Sequence, residues 1–432
     1  MFQGVLIIIF MVVVIILMIS GKLPTLYAVP LLAIGIAVIG RLPFRGQDSI
    51  LDSVIGDGSL RLASSYVAVF IATWLGSVME KTKISETMIR KAAELGGDKT
   101  LLVTILLFLV TVALSSVMSG LGAVIMMGTI VIPILISVGV DKLTSAVIMM
   151  LAYGSGEHFG LIKSTYFSDV FKIDVLKTYH YALIVATCSC FASIICILWY
   201  YFKNGKKFAF AAPLKVESDE DDVYEIKGFR GAMAMLTPFV PIFVALVLKW
   251  PPLPSFLIGL IWALVWTSKG LKKTFNLGAR TCYEGFLLGA PCACLMIFIG
   301  WLLVAINAGQ VREALVPLMS VITPTSPLTF VLFFSILAPF ALYRGPFNMY
   351  GLGAGIAALM ATSGLLTPMM VCVGFMGVSP IQNVSCPTNT SNVWCAGFVE
   401  AEVTAITKRQ LIFIWAGVTV AIIIGTALHW SN

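Results

Sequence analysis

The sequence predicts an all-α polytopic membrane protein made of two inverted-topology repeats, each with a re-entrant hairpin and a discontinuous helix. Three observations lead to this prediction. The 432-residue chain is 59% hydrophobic and 11% charged, with a mean hydropathy of +0.99. The same ordered set of motifs occurs twice, once in each half. The basic residues are distributed unequally among the loops that separate the apolar blocks.

The composition excludes several classes of protein. Soluble domains carry about 25% charged residues, so a soluble enzyme and a nucleic-acid-binding protein are excluded despite the net charge of +7. The first apolar block, VLIIIFMVVVIILMI at 5–19, is typical of a membrane-embedded helix, which needs about 20 residues to span the hydrocarbon core. The nine cysteines lack metal-ligand spacing, and no Walker, HExxH or GxSxG motif occurs. We therefore expect no enzyme activity, no metal centre and no nucleic-acid partner.

A strongly charged segment, 203–230, divides the chain into a first half, 1–202, and a second half, 231–432. Charge clustering of this kind is typical of a solvated linker, which we place in the cytoplasm. Each half then contains the same order of features: a Trp-Leu pair, an interfacial stretch, the tetrapeptide GLGA, a proline in an apolar run and a polar break. In the first half these are Trp74-Leu75, 80–99, 120–123, Pro133 and 153–160; in the second they are Trp301-Leu302, 307–326, 351–354, Pro368 and 383–392.

The loop charges predict that the two repeats are inverted. Short loops rich in Lys and Arg face the cytoplasm. With the linker inside, the basic segments 80–99 and 268–280 also fall inside, whereas 307–326 falls outside and holds a single basic residue, Arg312. Because 80–99 and 307–326 are equivalent in the repeat, their opposite placement predicts inverted topology.

Each half is predicted to contain a hairpin and a broken helix at membrane depth. The hairpins span about 100–137 and 327–362, and the discontinuous helices about 143–175 and 366–396. We expect non-helical backbone over 153–160 and 383–392, because glycine and proline weaken a helix, with the hairpin tips beside these breaks. Irregular backbone at membrane depth is tolerated only where it is buried in protein or lines a cavity. Paired interrupted helices in inverted halves are typical of secondary transporters.

This arrangement resembles the ion transporter superfamily, which includes divalent-anion/sodium symporters, citrate–metal symporters, gluconate permeases and the large membrane subunit of TRAP transporters. The resemblance extends over about 60–202 and 285–428, and the closing segment from Cys386 to Glu402 looks most like the citrate and gluconate branches. It implies a scaffold domain, a mobile transport domain that carries both hairpins, and a homodimer. The Ser-Asn-Thr triplet of the divalent-anion symporters is replaced here by Ser119-Gly120-Leu121 and Arg344-Gly345-Pro346.

Ionisable residues at membrane depth are functional candidates, and four qualify: Glu157, His158, Lys163 and Arg344. We expect Glu157 and His158, with the hairpin hydroxyls of Ser115 and Ser116, to handle the coupling ion or proton. The predicted substrate-binding residues come from the tips, the breaks and the two cationic side chains: Ser119, Gly120, Gly154, Ser155, Lys163, Arg344, Asn348, Asn383, Ser385, Thr388 and Asn389.

Alternatives remain open for these ionisable residues. Glu157 and Lys163 form either a transport site or a buried pair that braces a loop, and His158 is either a proton carrier or a hydrogen-bonded core residue. Arg344 binds a substrate carboxylate, pairs with a protein carboxylate such as Glu157, or marks the cytoplasmic end of a full span.

Together, the repeats and the resemblance predict secondary active transport of a small organic anion, either a di- or tricarboxylate or a sugar acid. The expected mechanism is elevator-type alternating access, coupled to Na⁺ or H⁺, in the inner or plasma membrane. No cofactor is expected beyond Na⁺ as a coupling ion, and the lipid bilayer is the surrounding partner. Two other functions are considered: a cation/proton antiporter of the same superfamily, and the membrane subunit of a TRAP-like complex.

Overall fold

The computed structural model describes residues 2–20, 22–203 and 228–430. Within these ranges the chain is helical and contains no strand. Most of the predicted linker, residues 204–227, lies outside the described residues.

The helices fall into two series on either side of this gap. The first series is α1 (Phe2–Ile19), α2 (Thr25–Ile39), a π-helical segment (Ile50–Asp57), α3 (Gly58–Leu60), α4 (Ala63–Lys81), α5 (Ile84–Gly96), α6 (Thr100–Ser115), α7 (Leu121–Ser137), α8 (Lys142–Phe159), α9 (Leu161–Phe171) and α10 (Val175–Lys203). The second series is α11 (Gly228–Met235), a 3₁₀ turn (Thr237–Phe239), α12 (Val240–Val247), α13 (Pro252–Trp266), α14 (Leu271–Asn307), α15 (Gly309–Ile322), α16 (Pro327–Ile336), a 3₁₀ segment (Ala338–Arg344), α17 (Gly353–Thr362), α18 (Pro368–Val384), α19 (Thr390–Phe398) and α20 (Val403–His429).

Several of these helices are long and apolar enough to cross a membrane. In the described part of the chain there are five by length and composition: Ile50–Lys81, Val175–Lys203, Gly228–Val247, Leu271–Asn307 and Val403–His429. A sixth is possible if α16 and the 3₁₀ segment after it, bent by 41°, form one span. The shorter apolar helices include α6, α7, α17 and α18, which belong to the predicted hairpins and broken helices.

In the first half, α6 and α7 are joined at residues 116–120, and α8 and α9 are joined at Gly160 alone, whose backbone is extended (φ −77°, ψ 153°). The prediction of non-helical backbone across 153–160 is therefore wrong except at Gly160. Gly154 and Gly156 are helical and serve close packing instead of a break: a Cβ would lie 2.3 Å from the Val384 side chain at Gly154 and 2.4 Å from the Val112 carbonyl oxygen at Gly156.

In the second half, the interruption is longer. α18 ends at Val384 and α19 begins at Thr390, so only 385–389 of the predicted 383–392 break is non-helical. The preceding hairpin turns after the 3₁₀ segment, where Tyr343 and Arg344 both have positive φ (53° and 59°). The chain then reaches α17 through the glycine-containing turn at 345–352.

The two repeated tryptophans lie in a reciprocal contact between the α3–α4 segment and α14. A Cβ on Gly285 would lie 2.5 Å from the Trp74 Cα, and a Cβ on Gly58 would lie 2.9 Å from the Trp301 Cα. Each glycine precedes the tryptophan of its own half by the same interval in sequence. The N-terminal part of each segment therefore contacts the C-terminal part of the other, which makes the α3–α4 segment and α14 antiparallel where they cross. In each contact, the glycine of one half meets the tryptophan of the other.

Substitution of Gly285 tests this close approach. We expect Gly285→Ala to lower stability by about 1–3 kcal/mol, because the added methyl forces the α4 and α14 backbones apart. Gly397→Ala is the matched control, since no atom lies within 4 Å of a Cβ at that helical position. Thermal unfolding in detergent measures both, and equal melting temperatures for the two variants would contradict the close contact.

Candidate functional site

The carboxylate of Glu157 is the centre of a polar cluster inside the helical bundle. Its Oε2 accepts hydrogen bonds from Lys163 Nζ at 3.1 Å and from Asn383 Nδ2 at 2.7 Å. Its Oε1 accepts from the Tyr153 hydroxyl at 2.8 Å. The Lys163 side chain is 3% exposed and that of Glu157 19% exposed, so the ion pair is largely removed from solvent.

The local helix geometry explains why these groups meet. Tyr153 and Glu157 are four residues apart on α8 and so lie on one face. The extended Gly160 ends α8, and Lys163 lies in the first turn of α9 directly beyond that break. Asn383 is in the last turn of α18, in the second half of the chain. The broken helices of the two halves therefore meet at the Glu157 carboxylate.

The tip of the first hairpin contacts this cluster. Gly120, with φ of +88°, donates its backbone N–H to the Tyr153 hydroxyl at 2.9 Å. Gly160 packs on the backbone of the same tip, since a Cβ there would lie 2.3 Å from the Ser116 carbonyl oxygen. The hydroxyls of Ser115 and Ser116 donate to the carbonyls of Thr111 and Ala113, within their own hairpin arm. Ser119 is half-buried beside Gly120.

The tip of the second hairpin is bound to both broken helices. The backbone N–H of Met349 donates to Gln382 Oε1 on α18 at 3.0 Å, and the Met349 carbonyl accepts from the Tyr166 hydroxyl on α9. The Tyr166 and Tyr350 rings stack at 5.1 Å with an interplanar angle of 11°. Asn348 stabilises the turn itself: its Nδ2 donates to the Ala341 carbonyl, and its Oδ1 accepts from the Tyr350 N–H. The structure thus brings both predicted tips to the predicted breaks.

Arg344 has no hydrogen bond or ion pair with any residue that the structure describes. Its predicted protein partner, Glu157, is paired with Lys163 instead. The guanidinium is half-buried at the end of the bent α16 arm. Arg344 belongs to the hairpin tip that binds the Glu157 region: its Cβ would lie 3.9 Å from a Cβ on Gly351, and Met349 of the same tip binds Gln382, the neighbour of Asn383 on α18.

His158 is fully buried next to Glu157 but has a separate set of partners. Its Nδ1 lies 2.9 Å from the Gly154 carbonyl oxygen and its Nε2 lies 2.6 Å from Ser379 Oγ on α18. The Ser379 hydroxyl is also 2.8 Å from the Met376 carbonyl. The single hydroxyl proton of Ser379 can be donated either to the Met376 carbonyl or to His158 Nε2, but not to both. Which bond forms depends on whether Nε2 of His158 carries a proton.

The remaining predicted residues are distributed around the breaks. Ser155 faces α10, where its Oγ lies 3.4 Å from Ser193 Oγ. Asn389 Nδ2 donates to the Asn383 carbonyl at 2.8 Å, which ties the α18–α19 break together. Thr388 Oγ1 lies 3.1 Å from the Cys386 thiol, and the Ser385 carbonyl accepts from Thr407 Oγ1. Ser385, Thr388 and Asn389 therefore hold the α18–α19 break in shape, and none of the three has a hydrogen bond to Glu157 among the described residues.

Four further residues at the site were not predicted: Tyr153, Tyr166, Gln382 and Tyr350. Two carry a sequence signal, since Tyr153 is four residues before Glu157 and Gln382 is next to Asn383 in the otherwise largely apolar α18. The two stacked tyrosines come from different halves and carry none. As for metals, the described residues contain no group of three or more His, Cys, Asp or Glu side chains placed to hold one.

Comparison with solved structures identifies the fold. It is a membrane transporter fold. The transporter YdaH of Alcanivorax borkumensis superposes with a TM-score of 0.61 at 11% identity, over 99% of each chain. MtrF of Neisseria gonorrhoeae, which represents a class of antimetabolite efflux pumps, superposes with a TM-score of 0.54 at 13% identity, over 99% of this chain and 94% of that one. No protein-family model and no curated protein sequence matches this chain. Both neighbours are transporters, and at 11% and 13% identity the likeness to this chain is one of fold.

The ion pair at the centre of the cluster is testable by a double-mutant cycle. Glu157→Gln alone should destabilise the protein by about 3–5 kcal/mol, because it leaves the buried Lys163 ammonium without its carboxylate. The double variant Glu157→Gln/Lys163→Met should regain most of that loss. Unfolding in detergent measures the cycle.

The exposed pair Lys142–Glu400 is the control, with side chains 63% and 81% exposed. Lys142→Met should change stability by less than about 1 kcal/mol. Additive effects of the Glu157 and Lys163 substitutions would show that the two groups do not act as a pair.

Proposed function

We propose that this protein is a secondary active transporter of a small organic anion in the cell membrane, which is the inner or plasma membrane. One observation carries the proposal. The broken helices of the two halves join at Glu157 through Asn383, and the half-buried Arg344 guanidinium nearby has no ion-pair partner among the described residues. The transporter fold of YdaH and MtrF supports it.

The charge balance of the region favours an anionic substrate. Glu157 and Lys163 neutralise each other, so Arg344 leaves one positive charge in the region. A cation in a membrane interior is costly unless it is paired. A substrate carboxylate supplies the missing negative charge, and the planar guanidinium can bind it through two parallel hydrogen bonds.

The polar groups near Arg344 suit a di- or tricarboxylate or a sugar acid, the substrate class that the resemblance to the citrate and gluconate branches implies. The amides of Asn383 and Asn389 each use one N–H on a protein acceptor, so the second N–H of each can donate to a further carboxylate or hydroxyl group. The residues with free or adaptable hydrogen bonds are the candidates, and those committed to their own helix, such as Ser115 and Ser116, contribute less.

Coupling to Na⁺ or H⁺ has support from two features of the cluster. Glu157 sits between three donors, and protonation of its carboxylate would break the ion pair with Lys163. His158 is hydrogen-bonded to Gly154 and Ser379, so a proton gained or lost there rearranges a contact between α8 and α18. A change at either residue therefore alters how the two broken helices hold each other.

The proposed mechanism is elevator-type alternating access by an inverted pair of repeats, with a homodimer as the assembly that the resemblance implies. The reciprocal contact of Trp74 with Gly285 and of Trp301 with Gly58 supports inversion, because exchange of equivalent residues between antiparallel helices requires a two-fold axis perpendicular to both. For membrane-crossing helices that axis lies in the membrane plane. Movement of α8 and α9 past α4 would require release of the Asp169 carboxylate, which accepts from the Ser65 N–H and hydroxyl.

The two alternatives have less support. A cation/proton antiporter needs a carboxylate available to its cation, and Glu157 is bound to Lys163. A TRAP-like membrane subunit needs a docking surface for other components, and no described feature indicates one.

Arg344→Gln tests the proposal. In proteoliposomes with imposed Na⁺ or pH gradients, uptake of the best substrate from a carboxylate panel should fall by about two orders of magnitude. The reason is that each hydrogen bond to a charged group contributes roughly 1.5–3 kcal/mol. Arg344→Lys should restore part of the activity, since an ammonium cannot reproduce the planar fork. Arg90→Gln, which removes an exposed arginine on α5, is the control. Near-normal uptake by Arg344→Gln would remove Arg344 from the site.

Inverted topology predicts opposite accessibility for two exposed positions in equivalent segments. Lys91→Cys and Glu313→Cys are treated in intact cells with a membrane-impermeant maleimide, and labelling is measured above the wild-type background. We expect labelling at 313 but not at 91 until the membrane is permeabilised. Labelling of both positions from the same side would contradict the inverted repeat.

A further inference from the structure

A second group of buried polar atoms lies on the far side of the α18–α19 break, against α20. The side chains of Ser385, Asn392 and Gln410 are each 0% exposed. Ser385 Oγ, Asn392 Oδ1 and Gln410 Oε1 have no hydrogen-bond partner among the described residues. Leaving such an atom buried and unsatisfied costs about 1–3 kcal/mol, so three in one region call for an explanation.

These three side chains surround one short piece of backbone. Asn392 Nδ2 donates to the Cys386 carbonyl at 3.1 Å, and Gln410 Nε2 donates to the Val384 carbonyl. Ser385 lies between Val384 and Cys386 in the sequence, and the Ser385 carbonyl accepts from Thr407 Oγ1 at 2.7 Å. The amide nitrogens of Asn392 and Gln410 are thus committed to the backbone, which leaves each amide oxygen as the free end of its side chain.

The chemistry of this group favours a cation. Two of the three atoms are amide oxygens, which only accept, and the third is a hydroxyl that can also act as a ligand. The last turn of α18 ends here, and the C-terminal end of a helix carries partial negative charge. The neighbouring basic residues do not supply the cation: Lys408 is exposed, and the Arg409 guanidinium binds Asp141 and Thr144.

We propose that Ser385 Oγ, Asn392 Oδ1 and Gln410 Oε1 form a binding site for Na⁺ at the α18–α19 break. Hard cations prefer oxygen ligands. Proteins usually bind Ca²⁺ and Mg²⁺ with carboxylates, and this set has only neutral oxygens, which matches a monovalent ion. The site is separate from the Glu157 cluster and from both hairpin tips.

The Na⁺ site is linked to the Glu157 cluster through two amides. Asn389, inside the break, donates to the Asn383 carbonyl, and Asn383 donates to Glu157. A cation that orders the break therefore also holds Asn383 in place for Glu157. A role for this ion in coupling rests on the proposed transport function, whereas binding of the ion does not.

Thermal unfolding of the purified full-length protein in detergent tests the site. NaCl replaces choline chloride at constant total salt, because a ligand that binds the folded state raises its stability in proportion to ln(1 + [L]/Kd). We expect a saturable rise of the melting temperature with Na⁺. Ser385→Ala should fold normally in choline, since it removes no hydrogen bond of the side chain, and should raise the half-saturating Na⁺ concentration at least ~10-fold.

Ser77→Ala is the matched control. Ser77 on α4 is also a buried serine whose hydroxyl has no partner in the described residues, and α4 packs mainly on α14, α13, α9 and α5 rather than on the helices around the break. Its Na⁺ dependence should equal that of the wild type. Ser385→Cys is a second variant, which keeps an atom at the γ position but replaces the hard oxygen with a larger, soft sulfur; it too should weaken Na⁺ binding. Direct binding of ²²Na⁺ by scintillation proximity checks each result.

Three results would overturn the site: no Na⁺-specific stabilisation or ²²Na⁺ binding in the wild type, wild-type Na⁺ affinity in both Ser385 variants, or an equal loss in Ser77→Ala. The outcome is distinguishable from failure of the transport proposal. Anion uptake driven by a pH gradient in a protein that binds no Na⁺ would remove the cation site alone. Specific Na⁺ binding in a protein that transports no anion would remove the transport function alone.

Discussion

The hydrogen bonds to the Glu157 carboxylate hold together the parts of this protein that are not regular helix. Three donors reach it: Tyr153 and Lys163 from the first half and Asn383 from the second. A buried charge is stable only when it is paired and hydrogen-bonded. The position of each donor is therefore constrained, and with it the geometry of the α8–α9 break and the end of α18. The first hairpin tip joins the same set, because Gly120 donates to the Tyr153 hydroxyl.

The second break obeys the same requirement in another way. The five residues between α18 and α19, 385–389, lie outside regular helix, and unsatisfied backbone groups are costly when they are buried. Side chains from α19 and α20 bind three consecutive carbonyls where α18 ends: Gln410 binds that of Val384, Thr407 that of Ser385 and Asn392 that of Cys386. This solution leaves acceptor atoms of the same side chains unpartnered. The proposed Na⁺ site follows from that imbalance, and an ion there would complete the polar structure of the break.

The rest of the molecule gives this polar centre a rigid frame. The α3–α4 segment approaches α14 closely at two glycines: Gly58 of α3 packs against Trp301 of α14, and Gly285 of α14 packs against Trp74 of α4. The indole N–H groups are satisfied across the same interface, with Trp301 donating to Ser59 Oγ and Trp74 to the Gly278 carbonyl. Such a contact does not slide easily, because each ring is fixed by both packing and a hydrogen bond. In the proposed elevator mechanism, this contact would belong to the stationary part of the protein.

The sequence by itself determined the helical membrane class and singled out the candidates Glu157, His158, Lys163 and Arg344, and it predicts two related halves. These follow from local properties, namely apolar length, motif order and the presence of charge where apolar residues surround it. The sequence did not determine that 153–159 stays helical, because Gly154 and Gly156 are explained by neighbours at Val384 and Val112 that are distant in sequence. It also could not decide which cation pairs with Glu157. Only the tertiary structure decides that, since Gly160 brings Lys163 back onto Glu157 while the turn after the bent α16 arm leaves Arg344 without a protein partner among the described residues.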